Sequence, residues 1–215
     1  MTLIRNAFLI LLSLHLLAIL FHVSMLSAAT KPLLMPFLIG LVWQKSRSFK
    51  GNELLLSALL FSWLGDILLM FSGEMYFLAG LGAFLVAQLV YIRLFSKTAT
   101  FELIRALPFL AYMGLVLGGP LHGTLPEPLQ VPIYFYMGAI ISMGIMAALR
   151  LGQLPGYDFV LVGAILFILS DSFIALNKFS TPIPYSGIWV MLTYGLAQFF
   201  IVWGCLKENK EAINA

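Results

Sequence analysis

The sequence predicts an all-α polytopic membrane protein, a bundle of about eight transmembrane helices with both termini cytoplasmic. Three observations predict it. Of the 215 residues, 61% are hydrophobic and only 10% charged, whereas soluble domains carry roughly 25% charged residues, and the mean hydropathy is +1.01. Apolar runs of spanning length recur from end to end between Lys/Arg, Gly and Pro punctuation. The Lys and Arg residues fall almost wholly in alternate connections. A water-soluble fold is excluded. With about 20 residues needed per crossing, no length remains for a separate soluble domain, so 1–215 reads as a single integral membrane domain.

Taken in order, the expected segments are 7–29, 32–44, 54–72, 76–95, 102–118, 130–149, 158–177 and 185–206. The first has signal-peptide features, with Arg5 ahead of an apolar stretch and the small residues Ser27-Ala28-Ala29 near its end. Its apolar run from Ala7 to Ala29 is longer than the roughly 7 to 15 residues of a signal core, so it reads as a span. The second is short. Pro32 suits a first helical turn, and Pro36, one turn further on, should tighten or kink it. The other six are bounded by charged or Gly/Pro-containing connections.

Net charge is +3 and the isoelectric point about 9.0. In a membrane protein that basic excess sets topology, so no nucleic-acid partner is expected. Arg5, Lys45, Arg47, Lys50, Arg93, Lys97, Arg105, Arg150, Lys207 and Lys210 lie on one side of the predicted spans, against Lys31 and Lys178 on the other. Positive residues concentrate on the cytoplasmic side, which places both termini there and makes the number of spans even. Lys31 and Lys178 are left without a topological reason for their positions.

Glu53, Glu74, Glu102, Glu127, Asp158, Glu208 and Glu211 fall in connections or at segment ends, whereas Asp66 and Asp171 fall inside spans. A carboxylate within the bilayer costs at least a few kcal/mol, so intramembrane acids face the bundle interior and mark functional sites. Asp66 lies 12 residues beyond Leu54 and Asp171 lies 13 beyond Asp158, on segments running the same way. At about 1.5 Å per residue both sit about 18 to 20 Å from the cytoplasmic side, where they can meet in one pocket in the outer half of the membrane. Ser62 is one turn before Asp66, Lys178 lies at i+7 from Asp171, and Tyr194 and Gln198 share a helical face. Gln88, Tyr91, Tyr134, Tyr136 and Ser142 are further polar residues within spans, each open to interhelical hydrogen bonding or substrate contact. The bland alternative is that the acids pair with lysines or hydroxyls and lock helices together.

His15 and His22 lie seven apart on one predicted helix without the close spacing of a ligand pair, and no metal site or cofactor is expected. The sequence has no G-x-S-x-G elbow, H-E-x-x-H pair or Walker loop. Its one cysteine, Cys205, sits near the cytoplasmic end of the last span, far from the acids. A protonated carboxyl beside an ionised one is equipment for general acid–base hydrolysis.

Five motifs then line up in order: Thr30-Lys31-Pro32-Leu33-Leu34-Met35-Pro36, Leu64-Gly65-Asp66-Ile67-Leu68-Leu69-Met70, Val131-Pro132-Ile133-Tyr134-Phe135-Tyr136, Leu169-Ser170-Asp171-Ser172 with Asn177-Lys178-Phe179, and Tyr194-Gly195-Leu196-Ala197-Gln198. Together they resemble the YhhN-like or TMEM86 family of membrane lysoplasmalogenases. The first segment carries no matching motif. The resemblance implies a multi-pass hydrolase that cleaves the vinyl ether bond of lysoplasmalogens to a fatty aldehyde and a glycerophospho-alcohol. It implies Asp66 and Asp171 as the intramembrane acids, and Lys31, Tyr136, Asn177, Lys178, Tyr194 and Gln198 as a polar substrate pocket.

The expected chemistry is protonation of the vinyl ether by one aspartic acid while the other carboxylate stabilises the cation and takes a proton from water, with the lysines holding the lipid phosphate. A small proton-coupled transporter and a hydrolase of a different lipid are the alternatives. The expected partners are a lysophospholipid substrate and membrane lipids, with the oligomeric state open. The short loops favour a bacterial cytoplasmic membrane, with the endoplasmic reticulum as the alternative.

Overall fold

The computed structural model describes residues 2–46, 50–100, 102–150, 152 and 154–214. Arg47 lies outside the described residues, as do the side chains of Lys210 and Glu211. The described chain is all-helical: α1 (Thr2–Leu20), α2 (Ser24–Thr30), α3 (Leu34–Ser46), α4 (Glu53–Leu68), α5 (Glu74–Ser96), α6 (Leu107–Gly118), α7 (Glu127–Ala148), α8 (Tyr157–Phe179) and α9 (Ser186–Asn214). Short 3₁₀ turns at Lys31–Leu33 and Leu103–Arg105 lead into α3 and α6. The extended pairing among the described residues is a single isolated bridge between Ala99 and Arg150.

Six described segments are long and apolar enough to cross a membrane: Leu3–Leu20, Ser24–Ser46, Glu74–Ser96, Glu127–Ala148, Tyr157–Phe179 and Ser186–Glu208. The apolar stretches at α4 and at Leu103–Gly118 are shorter. The exterior of the bundle is apolar, with Leu3, Ile10, Met25, Leu115 and Phe135 largely exposed. A surface of this kind suits lipid rather than water. This is a polytopic membrane bundle.

The first boundary differs from the sequence expectation. Instead of running to Ala29, α1 ends at Leu20, and the second pass begins at Ser24 rather than Pro32. The stop is a Schellman-type cap: His22 N–H donates to Ile19 O (3.1 Å), Val23 N–H donates to Ala18 O (2.8 Å), and His22 takes a left-handed φ of 56°. No glycine announces this cap. As a result His22 lies in the turn, off the face that carries His15, and Lys31 lies seven residues beyond the start of the second pass rather than at its outer end.

The prolines do tighten this pass, with the 3₁₀ turn at Lys31–Leu33. Pro36 has no N–H to give to the carbonyl four residues earlier, that of Pro32. Trp63 Nε1 on α4 donates to that carbonyl at 2.7 Å instead. Trp63→Phe removes the donor and leaves a part-buried carbonyl without it. The expected cost is about 1 kcal/mol or somewhat more, readable as a lower Tm in detergent.

Helix α8 packs most extensively on α9, and α4 on α5. The α8–α9 crossing is close because Gly163 of α8 lies against the backbone of Ala197 and Ile201, and Gly204 of α9 against Val160 and Gly156. At one end of the bundle Arg5 and Lys45 lie over the Trp203 ring at 5.9 and 4.3 Å, and a buried Arg150 pairs with Glu208. The start of α1, the end of α3 and the last turns of the apolar part of α9 therefore share one end. This is the end on which the basic residues of the sequence were expected to gather.

Candidate active site

Two helical faces meet rung for rung. Ser62 and Asp66 are four apart on α4, and Tyr194 and Gln198 are four apart on α9, so each pair projects from one face. Tyr194 Oη donates to Asp66 Oδ2 at 2.7 Å, and Gln198 Nε2 donates to Ser62 Oγ at 2.9 Å. Tyr91 on α5 donates from its hydroxyl to Gln198 Oε1 at 2.6 Å. All five side chains are buried, which satisfies the requirement that polar groups removed from water find partners.

The second acid is held separately. Tyr136 on α7 donates its hydroxyl to Asp171 Oδ2 on α8. Gln88 of α5 is buried beside Tyr136, with neither amide atom in a formed hydrogen bond. Asp66 and Asp171 are within electrostatic reach of each other. Phe84 lines the cavity beside Asp171, and its ring meets Tyr194 edge-on with centroids 5.8 Å apart and Phe167 at 6.3 Å. Gly65, next to Asp66, lets that ring come close: a Cβ there would sit 2.6 Å from it.

A narrow apolar cavity of about 60 Å³ opens against Asp171. Tyr136 and Phe84 wall it near the carboxyl, with Ile140 and Ile168 beyond and Phe77 and Phe179 at the other end. Asp66 is not on its wall. The sequence expectation of one pocket shared by both acids is therefore refined: the cavity reaches Asp171, and Asp66 lies in the adjoining polar ladder behind Phe84.

The remaining expected site residues divide similarly. Lys178 is exposed, with its ammonium 4.4 Å from the centroid of Phe77 and 5.7 Å from that of Phe179, at the end of the cavity those rings form. Lys31 does not join it there. It lies within electrostatic reach of Asp66 and of His15. Asn177 is exposed, and its Oδ1 accepts from the Ile183 N–H at 2.9 Å, tying down the α8–α9 connection. Tyr134 is exposed, and Ser142 donates to the Gly138 carbonyl of its own helix.

Two arrangements escaped the sequence reading. Tyr112 of α6 donates to Ser172 Oγ at 2.8 Å, and Ser172 donates in turn to Ile168 O at 2.7 Å. The adjacency of Ser172 to Asp171 was the one signal available for it. Buried His15 pairs through Nδ1 with Thr30 Oγ1 at 2.8 Å. Thr30 Oγ1 is also within 2.7 Å of Leu26 O, and His15 Nε2 has no hydrogen-bond partner. Among the described residues no three His, Cys, Asp or Glu side chains converge as a metal site would require.

The protein is thus a multi-pass helical membrane bundle with a carboxyl on the wall of an apolar cavity. The chain belongs to the YhhN family, whose model matches residues 26–205. The match begins beyond α1, the segment without a recognisable motif. Among curated proteins, the chain is 31% identical to the lysoplasmalogenase TMEM86B of Homo sapiens over 190 residues, 87% of this chain and 78% of that one. It is 34% identical to the lysoplasmalogenase TMEM86A of Homo sapiens over 168 residues, 73% and 66% of the two chains. The lysoplasmalogenase TMEM86B of Sus scrofa is 35% identical over 160 residues, again 73% of this chain and 65% of that one. The chain thus spans about two thirds to three quarters of the length of these relatives. No solved structure matches it.

Proposed function

We propose that this protein is a membrane-bound lysoplasmalogenase that hydrolyses the vinyl ether bond of single-chain lipids to a fatty aldehyde and a glycerophospho-alcohol. The observation that carries this reading is the Asp171 carboxyl on the wall of an apolar cavity, oriented by Tyr136, in a chain of the YhhN family. Tyr136 occupies Oδ2, so Oδ1 is the oxygen that presents a proton to the substrate. That proton goes to the β-carbon of the vinyl ether, and the electron pair of the double bond forms the new C–H bond. The resulting oxocarbenium ion is captured by water, one proton returns to the Asp171 carboxylate, and the hemiacetal collapses to aldehyde and alcohol. One water is consumed and no oxidant is needed.

Asp66, off the cavity wall, acts as a positioning and electrostatic residue, its negative charge favouring the developing cation. Phe84 and Tyr194 keep it away from the substrate. The lipid phosphate lies at the outer end of the cavity near Lys178, and the end carrying Arg5, Lys45 and Arg150 faces the cytoplasm.

The direct test incubates purified protein in detergent with alkenyl and acyl lysolipids and identifies the products by mass spectrometry. Aldehyde from the alkenyl lipid is the expected product. Fatty acid from the acyl lipid instead indicates a hydrolase of a different lipid, and pH-driven flux in proteoliposomes without cleavage indicates a transporter. In the same assay Lys178→Gln raises KM about fivefold, as fits a water-exposed charge pair. It leaves kcat within about twofold, because a phosphate contact is made equally in ground and transition states.

A further inference from the structure

A second apolar groove begins where the cavity ends. It has a volume of about 520 Å³ and lies between α6 and α8, with Phe109, Leu161 and Ile165 on its walls. Tyr112 and Ile168 belong to both spaces. We infer that this groove holds the hydrocarbon tail of the single-chain lipid whose reacting bond lies at Asp171, an inference that rests on the reading of the Asp171 cavity given above.

The position of Asp171 within its cavity is the first reason. Along α8 the cavity runs from Ile168 to Phe179, and Asp171 is one turn from the Ile168 end. In the other direction the cavity continues for eight residues, about 12 Å, to the rings beneath Lys178. A lipid with its phosphate at that mouth and its vinyl ether at Asp171 has used the cavity, and one turn remains for its tail.

The groove supplies the missing length. From Ile168 to Tyr157 it follows α8 for eleven residues, about 16 Å. A lipid tail occupies half the hydrocarbon core, about 15 Å. Its walls are apolar, and the partly exposed Ile165 places its open side on the lipid-facing surface. Because α6 packs mainly on α7, a channel is left on its α8 side, where the Tyr112–Ser172 hydrogen bond crosses the junction of the two spaces. The inner end is marked by Arg105, which lines the groove and pairs with Glu102 at 2.6 Å. A tail long enough to reach that ion pair meets charge rather than hydrocarbon, so the groove also limits chain length.

The test uses a non-cleavable alkyl ether lysolipid with a photoreactive diazirine at the end of its tail, irradiated with the wild-type protein in nanodiscs. Adducts on Phe109, Leu161 or Ile165 are expected. Adducts confined to Phe77 and Phe179, or spread over lipid-facing residues such as Leu3 and Met25, overturn the inference. In parallel, Ile165→Trp lowers kcat/KM for a long-tailed vinyl ether lysolipid about tenfold more than for a short-tailed one, the loss expected when about two methylenes leave an apolar site. An equal loss for both overturns the inference. Labelling of the probe does not require hydrolysis. Groove adducts without aldehyde release therefore sink the lysoplasmalogenase reading alone, and normal release with adducts elsewhere sinks the tail groove alone.

Discussion

Asp171→Asn lowers kcat for aldehyde release from an alkenyl lysolipid by roughly 100- to 10,000-fold, the range of a lost general acid. The asparagine side chain fills the same space and can still accept from Tyr136, so the fold and the cavity persist. What disappears is the proton that the β-carbon of the vinyl ether must receive. Asp66→Asn also lowers kcat, by roughly 100-fold, as expected for a lost electrostatic stabiliser. Its KM stays near the wild-type value because Asp66 does not line the cavity. The pair of variants, checked for monodispersity and assayed with the same lipid, separates a residue that touches substrate from one that acts through the field. Near-normal turnover of well-folded Asp171→Asn ends the proposed mechanism.

Gly163→Val abolishes recovery of folded protein. A Cβ at Gly163 would lie 2.8 Å from the Ala197 carbonyl oxygen, 2.8 Å from Ile201 Cγ1 and 2.9 Å from the Ile201 nitrogen. Two of these three atoms are backbone and cannot rotate away. Overpacking by even a methylene costs about 1 to 3 kcal/mol where side chains can adjust, and here the helices themselves must part. The consequence reaches the site, since α8 carries Asp171 and α9 carries Tyr194 and Gln198. Gly138→Ala on α7 is the control: its Cβ meets nothing within 4 Å, and alanine favours the helix by about 1 kcal/mol. A monodisperse Gly163→Val protein with wild-type Tm contradicts the close-packed α8–α9 crossing.

How much of this was legible depended on whether a feature is local. The scarcity of charge, the apolar runs and the side-by-side sorting of Lys and Arg are properties of the chain read in order, and they specified a helical membrane bundle. The i, i+4 spacings of Ser62 with Asp66 and of Tyr194 with Gln198 each defined a polar helical face. That the two faces would zip together was not legible, because nothing along the chain states which helix a given face will meet. The cap at residues 21–23 was missed for a different reason: a histidine took the left-handed position where glycine is the usual signal. That shift of boundary moved Lys31 into the pass and separated it from Lys178.

By itself, then, the sequence determined the solvent this protein folds in and the few residues whose burial there demands a reason. Asp66 and Asp171 stood out because a carboxylate in hydrocarbon is costly wherever it lies. Only the tertiary structure decided that Tyr194 partners one and Tyr136 the other, that Phe84 packs against Tyr194, and that of the two acids the cavity touches Asp171. Lipid tails are as apolar as the side chains they surround, so hydrophobic pattern alone cannot say which faces of a membrane helix meet one another. Close packing at small residues and interhelical hydrogen bonds make that choice, and both exist only once the helices have come together.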